Sequence, residues 1–362
     1  MSKKSRISVG VLFICMVAVI LFSQGFENPV ADPKDEKVQE EIKPEEQDQN
    51  VSTKEELPVI LNQDIYVGEE ERKKETDEEQ VSKKELEAEV KEAMKITNPK
   101  ITVSANAALL MKASNKEVLY QQNGLEKIQP ASTAKLLTAI LAVELSDEDE
   151  EFLVGSEIDL IALDSSRAYL KKGQRLSLEQ ILDALLLPSG NDTAYVIAAN
   201  LGRKLAGDSE ISDKKAVKRF VQEMNDEVVK LGGIDTNFLT PDGYDKEGQY
   251  TTAYDMALIG IKALEYDEIS RSVSKTKARN ILLSGEDVTW RNSNKLIQSG
   301  SGYYYKYAIG LKTGTSKEAG RCLVSAAKKD KEVYVSVIMN ASPEGRWKDS
   351  IALLSYAVKK EE

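Results

Sequence analysis

Polarity divides the chain into three stretches. Residues 7–22 carry no charge and are mostly apolar, and residues 27–98 are dominated by Glu, Lys, Gln and Asp. From Lys100 onward apolar residues recur at the periods of strands and helices. Ala107 to Lys112 and Glu117 to Gln121 are strand-like runs around Ser114-Asn115-Lys116, which predicts a hairpin. Leu136 to Leu145 (LLTAILAVEL) is a continuous apolar run of helical length, with Pro130 upstream where a helix start tolerates proline. Gly173 to Leu187 predicts a second helix, because Ser177 and Gln180 stand as a capping box before ILDALLL. Pro188-Ser189-Gly190-Asn191-Asp192 then breaks the periodicity and forces a turn.

Residues 194–265 read as mostly helical, with an interruption from Gly232 to Tyr244. Tyr307 to Thr313, Arg321 to Lys328 and Val333 to Met339 read as successive strands, with a charged hairpin tip at Lys328 to Lys331. A helix over Trp347 to Lys359 closes the pattern. Early hairpin, helical middle, late strands and terminal helix predict an α+β fold whose first strands pair with its last.

Lys3, Lys4 and Arg6 precede the apolar segment Ile7 to Phe22, which reads as an export signal with a positive cytoplasmic flank. Its sixteen residues fall between a cleavable core and a full span of about 20 residues. Retention as a membrane anchor is the expectation, with cleavage after Gly25 as the alternative, since Ser23 and Gly25 are small. Residues 27–98 cannot bury enough apolar surface to fold alone and read as an acidic disordered tether. Within them Ser82 and Glu85 can cap a short helix with apolar positions Leu86, Val90 and Met94, expected to be solvated. The expected division is therefore 1–26 anchor, 27–98 tether and 99–362 catalytic domain.

The charge follows the same division. The net −11 sits in residues 31–98, while residues 99–362 carry 35 Lys/Arg against 37 Asp/Glu. A nearly neutral globular part disfavours a nucleic-acid partner. Histidine is absent, which removes Ser-His-Asp and Cys-His machinery and the commonest transition-metal ligand. No metal and no cofactor are expected. Of the two cysteines, Cys15 lies in the apolar N-terminal segment, so a disulfide with Cys322 is not expected. Cys322 reads as a small buried apolar residue.

Ser132 and Lys135 introduce the long apolar run. Positions i and i+3 share a helix face, so the two side chains can touch. A hydroxyl against an amine that has lost its proton is a nucleophile against its base. The spacing alone is weak, because Ser-x-x-Lys recurs at Ser212, Ser272, Ser274 and Ser325. Its setting adds weight: Lys135 stands among apolar residues, and the next turn offers no acidic partner. Ser189-Gly190-Asn191 and Lys312-Thr313-Gly314 follow in order. Either alone reads as a turn or a strand end, but Lys-Thr-Gly occurs once, and the ordered trio reads as an active site.

A closely similar trio marks penicillin-binding proteins and class A β-lactamases. The chain resembles the serine D-Ala-D-Ala carboxypeptidases, the low-molecular-weight penicillin-binding proteins of peptidase family S11. The resemblance covers about residues 100–360 and extends to Glu117-Val118-Leu119-Tyr120, Pro130-Ala131-Ser132, Leu187-Pro188-Ser189-Gly190-Asn191-Asp192, Asp255-Met256-Ala257 and Ala319-Gly320-Arg321-Cys322-Leu323-Val324. It implies a β-lactamase/transpeptidase-like α/β/α sandwich, an antiparallel sheet flanked by helices, with a helical subdomain.

The resemblance implies roles as well. Ser132 attacks the carbonyl of the penultimate D-alanine, Lys135 takes its proton, and Ser189 relays a proton to the leaving amine. Asn191 hydrogen-bonds the substrate backbone. Lys312 meets the terminal carboxylate by charge and Thr313 by hydrogen bond, while Gly314 permits close approach. The backbone N–H groups of Ser132 and Thr315 form the oxyanion hole. Lys135 must be neutral to act as base, which needs burial or a nearby cation such as Lys312. The implied partners are peptidoglycan stem peptides ending in D-Ala-D-Ala and β-lactam inhibitors, met outside the cytoplasm.

Two departures from the family pattern stand out. Asp235 and Asp242 occupy a loop where relatives often carry histidines, and they are expected not to touch the trio. The chain also stops at Glu362 after its last helix, without the further β-domain and amphipathic helix of many relatives, which favours an N-terminal anchor. A DD-endopeptidase would use the same residues and differ only in groove shape. A β-lactamase is disfavoured: no Glu-x-x-Leu-Asn lies between Ser189 and Lys312, and Gly190 stands where class A enzymes usually carry Asp. An inactive wall-binding module is disfavoured by the intact trio.

Overall fold

The computed structural model describes residues 83–360. The anchor segment and residues 27–82 of the expected tether lie outside the described residues. In chain order the elements begin with helix α1 (83–93), the hairpin strands β1 (Ala107–Lys112) and β2 (Val118–Gln122), and helix α2 (Lys135–Leu145). The short strands β3 (Glu151–Leu153) and β4 (Arg175–Ser177) follow. Helices α3 (Leu178–Leu186), α4 (Asn191–Ala206), α5 (Asp213–Lys230), α6 (Ala253–Leu264) and α7 (Asp267–Ser274) make up the middle. A ribbon of β5 (Lys277–Ile281) and β6 (Asp287–Arg291) leads to β7 (Ala308–Ser316), β8 (Gly320–Lys329), β9 (Glu332–Ala341) and helix α8 (Gly345–Lys360).

Five strands form one sheet in the order β2-β1-β9-β8-β7, and every pairing in it is antiparallel. Leu109 of β1 stands opposite Val337 of β9, so the first strands do pair with the last. Period-two alternation then gives the sheet two apolar faces. Leu109, Met111, Val324, Val335 and Val337 point to one side and pack with α2, α3, α4 and α6. Leu110, Leu323, Tyr334 and Ile338 point to the other and meet Trp347, Leu353 and Leu354 of α8. Two cores on one sheet make the expected α/β/α sandwich. Each fully buried Leu or Val contributes about 1.5–3 kcal/mol relative to exposure.

The predicted capping box is present. Ser177 Oγ accepts from Gln180 N, and Gln180 Oε1 accepts from Ser177 N. That box fixes the start of α3, whose end delivers Pro188 and Ser189 to the cleft. Gly207, at φ 63°, ends α4 in the left-handed conformation that glycine adopts freely.

One expectation requires correction. Helix α1 is not solvated all round: Val90 and Met94 are buried in the larger core, with Leu86 packed against it. Its i, i+4, i+8 stripe finds a partner surface, so packing reaches back into residues assigned to the tether. Residues 266–306 carried no expectation. They form α7 and the β5–β6 ribbon, where Ala278 and Trp290 are buried and Lys277, Arg279, Asp287 and Arg291 face water. Among the described residues no helix is long and apolar enough to cross a membrane.

Candidate active site

Ser132 lies on a 3-10 turn, Ala131–Ala134, that runs directly into α2. Thr133 ties the turn to Pro130, its N–H and hydroxyl both donating to the Pro130 carbonyl at 3.3 and 2.6 Å. Ala131 holds φ 45°, a left-handed conformation uncommon for a residue with a side chain. Lys135 is the first residue of α2 and is fully buried. Its Nζ stands 2.8 Å from Ser132 Oγ, 2.7 Å from Asn191 Oδ1 and 3.1 Å from the Asp242 carbonyl oxygen.

These three neighbours differ in what they can do. The Asn191 and Asp242 oxygens only accept, whereas the Ser132 hydroxyl can also donate. A neutral amine therefore gives its two protons to Asn191 and Asp242 and aims its lone pair at Ser132. Burial pushes the Lys135 ammonium down to about 8, against the opposing pull of the Asp242 and Asp192 carboxylates. Asp242 does touch the trio after all, and it does so through its backbone carbonyl and its charge. Asp235 instead pairs with Lys127 at 2.8 Å near the surface.

The second wall begins at the turn after α3. Ser189 adopts φ 68° and lines the cleft, and Asn191 opens α4. Gly190 between them is required by space: a β-carbon there would lie 2.4 Å from Thr193 Oγ1 and 2.9 Å from the Ala184 carbonyl. The buried Asp192 carboxylate accepts from Ala168 N and Leu170 N, which holds the segment 164–170 beside the cleft. Ser166 from that segment hydrogen-bonds the Ser189 carbonyl at 2.6 Å and reaches Asn191 Oδ1 at 3.2 Å. With Oδ1 engaged by Lys135 and Ser166, the Asn191 Nδ2 group is the end left for a substrate carbonyl.

The third wall is β7, an edge strand that pairs only with β8. Successive side chains point to opposite faces. Lys312 and Gly314 face the turn that carries Ser132, and a β-carbon on Gly314 would sit 3.2 Å from both Ala131 Cβ and Thr133 Cγ2. Thr313 and Thr315 face the other way and line the cleft with Gly314. Lys312 is fully buried like Lys135, and its ammonium donates to the Thr313 carbonyl at 3.0 Å. Burial lowers it well below the ordinary lysine value, and the Lys135 and Arg346 charges lower it further.

Ser132, Ser189, Asn191, Thr313, Gly314 and Thr315 line one cleft of roughly 710 Å³, with Lys135 and Lys312 buried behind its floor. Sequence reasoning missed four further residues. Arg346 of α8 donates from Nη1 to Gly314 O and Thr315 Oγ1, both at 3.1 Å, bracing the free end of β7. Burial and Arg321 lower its guanidinium to about 10, so it is charged at neutral pH. Ser293 bonds Thr313 at 2.6 Å, Ser166 holds Asn191, and Tyr244 donates to Asp164 across the rim at 2.9 Å. None of the four sits at a fixed spacing from a motif. Burial pushes the Cys322 thiol up to about 11, in keeping with an inert apolar filler. Among the described residues no cluster of acidic or thiol side chains is arranged to hold a metal ion.

The chain is similar to known proteins over most of its described length. The model of the D-alanyl-D-alanine carboxypeptidase family, Peptidase_S11, matches residues 92–343. The chain is 29% identical over 258 residues to the Bacillus subtilis D-alanyl-D-alanine carboxypeptidase DacF, covering 70% of this chain and 62% of that protein. It is 30% identical over 275 residues to a D-alanyl-D-alanine carboxypeptidase of Streptomyces sp. K15, covering 73% of this chain and 90% of that one. The crystal structure of the Streptomyces K15 DD-transpeptidase superposes with TM-score 0.65 at 27% identity, over 73% of this chain and all of that one. The chain thus spans about three fifths of the length of the Bacillus relative.

Proposed function

The chain belongs to the D-alanyl-D-alanine carboxypeptidase family, and from that premise we propose that it is a penicillin-sensitive serine carboxypeptidase acting on peptidoglycan stem peptides. One observation carries the serine mechanism: the Lys135 amine is buried, 2.8 Å from Ser132 Oγ, with acceptors placed for its two remaining protons. In the proposed reaction Ser132 Oγ attacks the carbonyl carbon of the penultimate D-alanine and its proton passes to Lys135. The amide C–N bond breaks, and the terminal D-alanine leaves with a proton relayed through Ser189. Water then cleaves the ester on Ser132, which returns its proton to the serine oxygen and frees the shortened peptide.

The remaining roles follow from position. Asn191 Nδ2 holds the acyl-side carbonyl, and the free edge of β7 receives the peptide as an added strand. Thr313 and Thr315 hydroxyls meet the terminal carboxylate, with the Lys312 amine behind Thr313 and the Arg346 guanidinium behind Thr315. The N–H groups of Ser132 and Thr315 stabilise the oxyanion. The basic flank and apolar run at residues 3–22 favour action outside the cytoplasm, held at the membrane.

The test is mass spectrometry of the full chain with benzylpenicillin and, separately, diacetyl-Lys-D-Ala-D-Ala. A lasting adduct on Ser132 with release of free D-alanine is expected, and Ser132→Ala should give neither. Rapid penicillin turnover would reassign the chain as a β-lactamase. An adduct without D-alanine release would favour cleavage or transfer within cross-links.

A further inference from the structure

Asn292, Ser293 and Asn294 form a short bridge between the two cleft walls, and nothing in the motif pattern points to it. Asn292 and Asn294 are buried, while Ser293 between them is exposed to the cleft. Asn292 Nδ2 donates to the Val273 and Lys275 carbonyls at 3.1 and 2.9 Å, and its N–H donates to Thr276 O at 2.9 Å. Its Oδ1 accepts from Asn294 N at 2.9 Å, and its own carbonyl accepts from Gln298 Nε2 at 2.7 Å. Five hydrogen bonds thus fix the backbone on which one small hydroxyl is displayed.

Ser293 touches both walls from that mount. Its N–H donates to the Leu187 carbonyl, at the end of the helix that delivers Ser189, at 3.2 Å. Its Oγ lies 2.6 Å from Thr313 Oγ1 on β7. Each hydroxyl has one proton and two lone pairs, so one of the two oxygens must donate to the other. A substrate carboxylate can only accept. For Thr313 to bind it, the Thr313 proton must stay free, and the Thr313–Ser293 bond must then be donated by Ser293.

We propose that Ser293 is a positioning residue for the peptidase reaction: its hydroxyl donates to Thr313 Oγ1 and so turns the Thr313 proton toward the terminal carboxylate of the substrate. The inference rests on the carboxypeptidase reading, in which Thr313 meets that carboxylate. It makes Ser293 matter for carboxylate-bearing ligands only, and only while Thr313 has a hydroxyl to orient.

The experiment measures second-order acylation of the full chain by benzylpenicillin and by its neutral methyl ester. Ser293→Ala should slow acylation by the acid about tenfold, the scale of one hydrogen bond to a charged group, and leave the ester nearly unchanged. Ser293→Thr, which keeps the hydroxyl, should stay within about twofold of the native rate. On a Thr313→Val background, Ser293→Ala should add nothing, because its effect passes through Thr313. Equal losses on acid and ester, a loss that persists on Thr313→Val, no loss at all, or a folded Ser293→Thr that fails to recover would each overturn the proposal. If Ser293→Ala does not fold, Ser293→Cys keeps the size with a weaker donor and should show the same selectivity for the acid. Failure of the native chain to be acylated by either compound would instead remove the peptidase reading beneath it.

Discussion

Gly243 presses against Ala131, the residue before Ser132: a β-carbon on Gly243 would lie 1.9 Å from the Ala131 carbonyl oxygen. Gly243 also holds φ 74°, where a side chain is strained even without a clash. Its neighbour Asp242 supplies the carbonyl that accepts a hydrogen bond from Lys135 Nζ. Gly243→Ala should therefore cost about 3 kcal/mol of stability and slow penicillin acylation at least about tenfold, because Ser132 and the Lys135 acceptor shift together. Urea unfolding and acylation kinetics check this. A variant with native stability and rate would show that the 243–245 loop moves aside freely.

The Ser132–Lys135 contact fixes a pH dependence for the reaction. Lys135 can take the serine proton only as a free amine, and its ammonium titrates at about 8. Below that value the base is occupied and acylation is slow; above it the base is free. The penicillin acylation rate should rise about tenfold per pH unit up to pH 7 and level off above about 9. A rate flat from pH 6 to 9 would place the proton acceptor elsewhere.

Lys135 also ties stability to pH. Unfolded, it titrates near the ordinary lysine value of 10.5; folded, at about 8. Between these values the unfolded chain binds a proton that the folded chain has released, so its contribution to stability rises with pH across this window. Below about 8 the cost of burying the charge is fully present. Lys135→Met removes this dependence. The stability of Lys135→Met relative to native should be most favourable at pH 7 and should fall by about 3 kcal/mol by pH 10.5. Paired denaturant unfolding at the two pH values measures it, and a constant difference would mean that Lys135 is not forced neutral by burial.

How much of this site was legible in the sequence depends on what positions each group. Ser132, Ser189 and Asn191 stand where local chemistry marks a boundary: Pro130 ahead of the apolar run, a capping box feeding Pro188, and a glycine where no β-carbon fits. Lys312 was found by its motif, but its full burial was not legible, because the face of β7 it takes is settled only by the turn packed against Gly314. The Asp242 carbonyl left no trace, since a backbone acceptor has no residue type.

Ser166, Ser293 and Arg346 are small or common residues brought in by long-range packing from three separate segments, with no spacing to betray them. The order of strand-like and helical runs was readable, while the sandwich came only through the family resemblance, since β1, β8 and β9 are buried over continuous runs. The β5–β6 ribbon was not readable: Lys277, Arg279, Asp287 and Arg291 keep a period of two, but only Ala278 and Trp290 are buried to signal it.

That unread ribbon and α7 meet α3 through Asp183, which is fully buried and accepts from Lys275 Nζ at 2.9 Å, Ser272 Oγ at 2.9 Å and Asn280 Nδ2 at 3.3 Å. The partners are unequally placed. Lys275 keeps 28% of its side chain exposed and also reaches Glu179, so it can turn to solvent if Asp183 is neutralised. Asp183 has nowhere to go. Removing its counter-charge strands a buried carboxylate, a loss of about 3–5 kcal/mol, whereas neutralising the carboxylate should cost about 1–2 kcal/mol. Lys275→Met is therefore expected to destabilise the chain more than Asp183→Asn, and the double variant should recover part of the Lys275→Met loss. Urea unfolding of the three proteins decides it: equal single losses that simply add would mean that the two side chains act independently and do not hold the ribbon and α7 to α3.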